Sequence, residues 1–499
     1  MKKENKPTVF IVTYFIFYSS KVENRIKMNK ITITFFTLVY TFLSCFTINA
    51  QQNSEVSEHF TKIDNYLTAG VKNGFSGAIS VIKNGKTIIN KGYGIANKET
   101  NTPNTSNTIF DIGSNTKQFT GVAILKLAEL KKLNTNDPLS KYFKNLPKDK
   151  QNITIQQLLS HTAGFLDALA RDFTETSEKD YFDQLFASKL LSIPGEKYNY
   201  SNAGYSTLGK IIEIVSQQTY ESFVNEYLFK PAGMHQTGYL LPKWNIKEIS
   251  RSYNRGLIES KSPIFRYQKD QEVNWHLRAN GGINSTQNDM LLWLKALKEN
   301  KIISKESLKK ITTTHIPTPK KTNDYRFGWG VKQTKNNTIR LTHNGSNGAY
   351  AHSLIWYPKE DIQIIYATNA NSSKVEYLAY RIAKIILDDN YTPKPIKNNV
   401  YAFTINFIKQ YPAKNSNDLE RLLQENYADE FSNSRLLNTI GNLLLRQNKN
   451  LNWALEVFKM NVKKYPKDGN LWDSLGNGFL KNKQKEEALK SYQKAVSLG

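Results

Sequence analysis

Asp111-Ile-Gly-Ser-Asn-Thr-Lys-Gln-Phe-Thr-Gly121 is the stretch on which the reading of this chain turns. Ser114 and Lys117 stand three residues apart. Beyond them Phe119, Val122, Ala123, Leu127 and Leu130 recur at the i, i+3/i+4 spacing that buries one face of a helix. Residues three apart on a helix are neighbours on its surface. Local geometry alone therefore brings the Lys117 amine to the Ser114 hydroxyl, as a serine nucleophile with an adjacent base requires. Ser80–Lys83, Ser307–Lys310 and Ser491–Lys494 repeat the same four-letter pattern. The first lies in an alternating strand segment and the other two in polar, lysine-rich helical stretches, where solvated side chains are the ordinary expectation. Spacing alone does not separate Ser114 from them.

Two further motifs do. Tyr200-Ser-Asn202 is the only Y-x-N in the chain, and His343-Asn-Gly345 is the only H-x-G. In this order, on segments far apart, the three motifs resemble those of the serine β-lactamase and penicillin-binding superfamily. The likeness is greatest to its class C β-lactamase-like branch of esterases, carboxypeptidases and aminopeptidases. Phe75-Ser-Gly-Ala-Ile-Ser-Val81 with Asn84-Gly85 resembles that family's framework, as do Leu158-Leu-Ser-His-Thr-Ala-Gly164, Pro231-Ala-Gly-Met234 and Gly281-Gly-Ile-Asn-Ser-Thr286. The resemblance covers about residues 55–390.

The resemblance implies an α+β fold of β-lactamase/transpeptidase type, with an antiparallel sheet flanked by helices, an all-helical region beside it and the site between them. It implies Ser114 as nucleophile, with Lys117 and Tyr200 handling its proton and either one serving as principal base. It places the oxyanion donors at the main-chain N–H groups of Ser114 and Ser346. Asn202 would hold a substrate carbonyl or amide and orient Lys117, and His343, Gly345 and Ser346 would line the substrate side. A serine hydroxyl needs such a base, and a lysine can act as one only if burial or nearby positive charge lowers its pKa from about 10.4 towards neutrality.

The third motif departs from much of that family, where Lys occupies the His343 position in K-T-G and helps hold a substrate carboxylate. Histidine, with an unperturbed pKa of about 6.5, is mostly neutral at pH 7. The alternation Ile339, Leu341, His343 also puts this histidine on a strand face with two apolar residues. The K-x-G matches at Lys72, Lys83 and Lys467 fall at the wrong places in the order. An ester, an amide or a small or D-amino-acid peptide is therefore expected as substrate ahead of β-lactams. The alternatives are a β-lactamase or D-alanyl-D-alanine carboxypeptidase and, in another class, a non-catalytic cell-wall-peptide-binding protein. The remaining histidines are scattered, with His161 in Ser160-His-Thr-Ala-Gly164 read as a framework residue at a turn. No metal site and no cofactor are expected.

Ordinary hydrophobic and charged fractions, 39% and 22%, mark a globular protein, and 499 residues call for two or more domains. The formal net charge is +25, of which the first fifty residues contribute +5. The lysines are dispersed and no nucleic-acid motif accompanies them. The charge reads as a solubilising surface, with weak attraction for anionic cell-wall polymers or lipid head groups.

Residues 1–50 read as an extension followed by an export signal. Met28-Asn-Lys30 is a basic start, Ile31–Phe46 is mostly apolar, and Ile48-Asn-Ala50 suits cleavage before Gln51. The apolar run is shorter than the ~20 residues of a spanning helix, so no stable membrane span is expected after cleavage. Cys45, the sole cysteine, lies in this signal, and Phe42-Leu-Ser44 before it fits a lipoprotein signal poorly. A periplasmic or secreted bacterial protein is expected.

Residues 51–390 form the expected hydrolase domain, opening on an amphipathic helix and then a hairpin at Asn84-Gly85, the strongest short hairpin signal. A helical middle follows to about Leu297, then strands at Thr338–His343, Ser353–Tyr357 and Ile362–Thr368 and a helix from Val375 to Leu387. Residues 391–400 read as a linker, since Pro393 and Pro395 deny regular structure. Residues 401–499 read as tetratricopeptide-type repeats. Trp472, Leu475, Gly476, Phe479, Ala488 and Tyr492 fit that template, with an earlier copy through Leu437, Gly441, Ala454, Phe458 and Pro466. Such repeats either stabilise the hydrolase or bind a peptide or protein partner.

Overall fold

A computed structural model of the chain describes residues 56–254, 258–313, 323–370 and 376–499. The expected export signal and Cys45 lie outside the described residues. Among those residues no helix is long and apolar enough to cross a membrane. Strands from both ends of residues 77–368 meet in one seven-stranded antiparallel sheet. In chain order these are β1 (Gly77–Lys83), β2 (Lys86–Tyr93), β3 (Asn323–Arg326), β4 (Trp329–Gln333), β5 (Ile339–Asn347), β6 (Tyr350–Tyr357) and β7 (Ile362–Thr368). Across the sheet they run β2-β1-β7-β6-β5-β4-β3.

Asn84 and Gly85, at φ 52° and 72°, make the tight turn that the sequence announces. The first hairpin then pairs with the last strand, Gly77 opposite Thr368 through to Lys83 opposite Ile362. Every residue of β6 and β7 is buried, so the centre of the sheet is covered on both faces. Helix α1 (56–72) is tied to the sheet edge, because Asp64 accepts from Tyr93 Oη at 2.6 Å and from Lys91 Nζ at 2.7 Å.

Between the two parts of the sheet lies the helical region, whose core is continuous with one sheet face through Leu341, Leu354, Trp356 and Ile365. At its centre runs α2 (Thr116–Glu129). The spacing of its apolar residues predicts one buried face, but every residue from Thr116 to Leu125 is buried. The difference arises from how its polar residues are used. Gln118 donates to Asn115 at 2.7 Å and accepts from Trp293 Nε1 at 3.2 Å. Phe119 meets the rings of Phe229 and Trp293 edge-on. Helix α3 (Asn202–Ser216) packs beside α2. Helices α4 (Gln287–Lys298) and α5 (Glu376–Leu387) cover the sheet.

Three local features go beyond the sequence reading. Strand β5 runs on past His343 to Asn347, so the whole third motif is extended backbone, and β6 starts three residues earlier than expected. Strands β3 and β4 carry no clear alternation, and Phe327 and Gly328 between them both take positive φ. The linker is strapped to the turn after α1 by Asn73 Nδ2 donating to the Ile396 carbonyl at 2.7 Å, and to α5 by Arg381 donating to that of Lys394 at 3.2 Å.

Beyond it come Val400–Gln410 and Ser416–Asn426, then α6 (Arg435–Gln447), α7 (Leu451–Lys464), α8 (Gly469–Lys481) and α9 (Lys485–Leu498). α6 packs on α7 and α8 on α9. The two pairs share one device. A Cβ on Gly441 would lie 2.5 Å from the Phe458 ring, and one on Gly476 2.5 Å from the Tyr492 ring.

Candidate active site

Ser114 sits in the 3-10 turn Gly113–Asn115 that leads into α2, half-buried and open to the cleft. Two glycines let this turn touch strand β5. Gly113 holds φ +52°, and a Cβ there would lie 2.5 Å from the Ser346 nitrogen. A Cβ on Gly345 would lie 1.9 Å from the Ile112 carbonyl oxygen and 2.9 Å from the Ser114 nitrogen. The main-chain amides of Ser114 and Ser346 are thus brought to one crossing point between the first and third motifs.

Lys117 is fully buried. Its Nζ reaches Ser114 Oγ at 3.2 Å, Asn202 Oδ1 at 2.6 Å and the Asn280 carbonyl at 2.7 Å. The lysine's pKa is pushed down to about 7, chiefly by burial, against the opposing pull of the Asp167 and Asp172 carboxylates. A neutral amine has two N–H donors and one lone pair. The two shorter contacts are to oxygens that can only accept, which leaves the lone pair for the Ser114 hydroxyl. The orientation of Asn202 is itself fixed, because its Nδ2 donates to Asp167 Oδ1 at 2.9 Å. Ser201 starts α3 by accepting from the Gly204 amide at 2.9 Å while donating to the Leu166 carbonyl at 2.7 Å, so the second motif is held by its own helix cap.

Tyr200 stands beside Lys117, whose Nζ lies 4.9 Å from its ring centre. Burial pushes the phenol's pKa well up, with a hydrogen bond to Ser114 opposing the rise, so it keeps its proton at neutral pH. His161 lies under this ring at 4.3 Å, at φ +57°, its Nδ1 accepting from the Ser201 amide at 3.0 Å. The reading of His161 as a framework residue at a turn fits this geometry. It supports Tyr200 and Ser201 from below. Burial and the nearby Lys117 hold its pKa well below the usual value.

His343 is also buried. Its Nδ1 lies 2.7 Å from the Asn344 carbonyl, which only accepts, so Nδ1 carries the hydrogen. Nε2 then accepts from Tyr325 Oη at 2.8 Å. Burial first, and Lys117 second, push its pKa down to about 3. It is a neutral wall residue with both nitrogens engaged.

All seven residues singled out from sequence, Ser114, Lys117, Tyr200, Asn202, His343, Gly345 and Ser346, are therefore brought together around the turn that carries Ser114. Three others went unread. Asp167 stands three residues past the Ser160-His-Thr-Ala-Gly164 segment, a proximity that could have marked it. Asn280 contributes only its carbonyl and leaves no side-chain signal. Tyr325 belongs to a strand without a legible pattern. The three S-x-x-K decoys lie elsewhere, in β1, in the helix Lys305–Thr312 and in α9.

A serine in hydrogen-bond reach of a dry lysine, between an antiparallel sheet and a helical region, is the arrangement of the serine hydrolases with a β-lactamase/transpeptidase-like fold. The chain belongs to the beta-lactamase family, whose model matches residues 63–387. It is 29% identical over 344 residues to Protein flp of Staphylococcus aureus (strain NCTC 8325 / PS 47), across 66% of this chain and 67% of that protein. It is 32% identical over 270 residues to PbpX of Bacillus subtilis (strain 168), across 54% of this chain and 65% of that protein. Among solved structures it resembles the octameric penicillin-binding protein homologue from Pyrococcus abyssi. That likeness has a TM-score of 0.58 at 25% identity and covers 70% of this chain and 82% of the other. The family match ends at residue 387, short of the C-terminal helices.

Proposed function

We propose that this protein is an extracytoplasmic serine hydrolase that cleaves an ester, an amide or a small or D-amino-acid peptide through an acyl-enzyme. The observation that carries the reading is Lys117, buried, shifted to about 7 and 3.2 Å from Ser114 Oγ. Neutral Lys117 takes the Ser114 proton as Oγ bonds to the acyl carbon. The developing oxyanion is received by the N–H groups of Ser114 and Ser346. As the tetrahedral intermediate collapses, the acyl–leaving-group bond breaks and the proton passes to the leaving group, with the protonated Tyr200 phenol as relay. Water then enters by the same proton path in reverse and releases the acid. Of the two possible bases, Lys117 suits the role better, because Tyr200 holds its proton too tightly.

The neutral, capped state of His343 argues against a fixed cation at that position and so against efficient β-lactam turnover. A fluorophosphonate probe should label the wild type and not Ser114→Ala; equal labelling of both would remove Ser114 from the mechanism. A panel of nitrophenyl esters, D-amino-acid amides, D-Ala-D-Ala peptides and a chromogenic cephalosporin then ranks substrates, and fast cephalosporin turnover would overturn the His343 argument.

The paired helices α6–α9 support reading residues 401–499 as tetratricopeptide-type units, which either brace the hydrolase or serve a peptide or protein partner. Deleting residues 398–499 keeps Ile396 on α1 and should leave ester turnover in place. Loss of thermal stability on deletion would favour a purely structural tail.

A further inference from the structure

Asp111 opens the stretch that carries Ser114, yet takes no part in the proton transfers above. Its side chain is 1% exposed. Oδ1 accepts from the Gly113 amide at 2.7 Å, and Oδ2 accepts from Asn347 Nδ2 at 2.6 Å. Gly113 begins the turn that presents Ser114. Asn347 follows Ser346 and closes β5. One carboxylate therefore holds both segments that supply the oxyanion donors, using a separate oxygen for each.

Among the described residues no cation pairs with Asp111, and burial pushes its pKa up to about 7. An unpaired carboxylate is costly to bury. A neutral amide would tie two loops at less cost, but it has only one acceptor oxygen. A carboxylate accepts on both, and charge-assisted bonds of this kind are the short, strong ones. Pairing of Ser346 with Ala351 and of Asn347 with Tyr350 fixes the end of β5 on β6. The Asp111 grip on Asn347 ties that end to the turn that carries Ser114.

We propose that Asp111 is a positioning residue, a clasp that sets the separation and direction of the Ser114 and Ser346 N–H groups around the acyl oxygen. The clasp rests on the Ser114 reading above. It is complete when the carboxyl is ionised, since a proton would turn one oxygen towards a donor. The titratable groups facing it are Asp172, Tyr267 and Tyr350. Asp172 opposes its ionisation, and both phenols are held protonated by burial.

Steady-state ester turnover of the full chain, with Asn347→Ala and Asp111→Asn, tests this beside fluorophosphonate labelling and thermal melting. Losing an oxyanion donor outright costs on the order of 10²–10³ in kcat. Misaligning one through Asn347→Ala should lower kcat about 10- to 100-fold, with KM within about threefold and the melting temperature nearly unchanged. Asp111→Asn should lower kcat at least as far and make the acid limb of the pH profile shallower. In the wild type Lys117 and Asp111 both protonate as pH falls through about 7, and in the variant only Lys117 remains. If Asp111→Asn fails to fold, Asn347→Ala decides alone, because Asn347 is only half-buried. Variants with wild-type kcat, or a loss confined to stability, would overturn the clasp. A wild type that neither labels nor turns over esters would overturn the Ser114 reading, and the clasp with it.

Discussion

Two buried bases meet at this cleft, Lys117 from the helix side and His343 from the strand side, and the same physics acts on both with opposite results. Burial disfavours the cation in each case. Lys117 starts from 10.5 and arrives at about 7, whereas His343 starts from 6.5 and arrives at about 3. The lysine becomes an amine that titrates near neutrality; the histidine leaves that range and becomes a neutral spacer. Their partners complete the contrast. Lys117 faces two fixed acceptors and one hydroxyl that can give up a proton, while His343 has one nitrogen donating to a carbonyl and the other accepting from a phenol. The geometry thus suits Lys117, and not the motif's histidine, to the acid–base role proposed above.

The harshest test removes the base while keeping the packing. Lys117→Met should lower kcat about 10³-fold, within the range typical of general-base loss, and slow fluorophosphonate labelling in parallel. His343→Gln should cost no more than about tenfold in kcat, because it removes a wall and not a proton acceptor. A reversed order of these losses would break the comparison. The pH profile sharpens it. Lys117 must be neutral to act, so activity should fall as pH drops through about 7, and His343→Gln should leave that limb in place.

Stability against pH separates the two groups again. A folded-state pKa below the unfolded one means the unfolded chain binds more protons, so stability rises with pH between the two values. For Lys117 that window runs from about 7 to 10.5, and for His343 from about 3 to 6.5. The melting-temperature advantage of the wild type over His343→Gln should therefore shrink as pH falls from 7 to 5. A constant gap would mean that His343 titrates alike in both states.

The sequence made the helix side of the cleft more legible than the strand side, and the reason is range. Ser114 and Lys117 are joined by one helical turn, and Ser201 announces the cap that holds Asn202, so local rules reach both. Asp167 meets Asn202 across 35 residues, Tyr325 meets His343 across 18, and Asn280 reaches Lys117 across 163 through a main-chain carbonyl. No periodicity records such contacts. The hairpin at Asn84-Gly85 was plain, but its pairing with β7 depends on closure of the whole domain. The burial of α2 on every side was hidden because its polar residues, Gln118 and Thr120, look solvent-seeking until their partners are known.

The smallest effect is expected at Tyr325, and it probes whether the strand side is as passive as described. Tyr325→Phe removes the hydroxyl that donates to His343 Nε2 at 2.8 Å. The stranded acceptor should cost about 1–3 kcal/mol, the usual penalty for a buried polar atom without a partner. The melting temperature should fall by a few degrees. The unsatisfied nitrogen would also take up a proton more readily, so the His343 pKa should rise from about 3 and the acid-sensitive window should narrow. With the phenol absent and Lys117 untouched, kcat should stay within about threefold of wild type, since nothing that moves a proton has been removed. A loss above about 100-fold with an unchanged melting temperature would place Tyr325 among the groups that touch the reacting atoms, and the strand side would then be part of the chemistry.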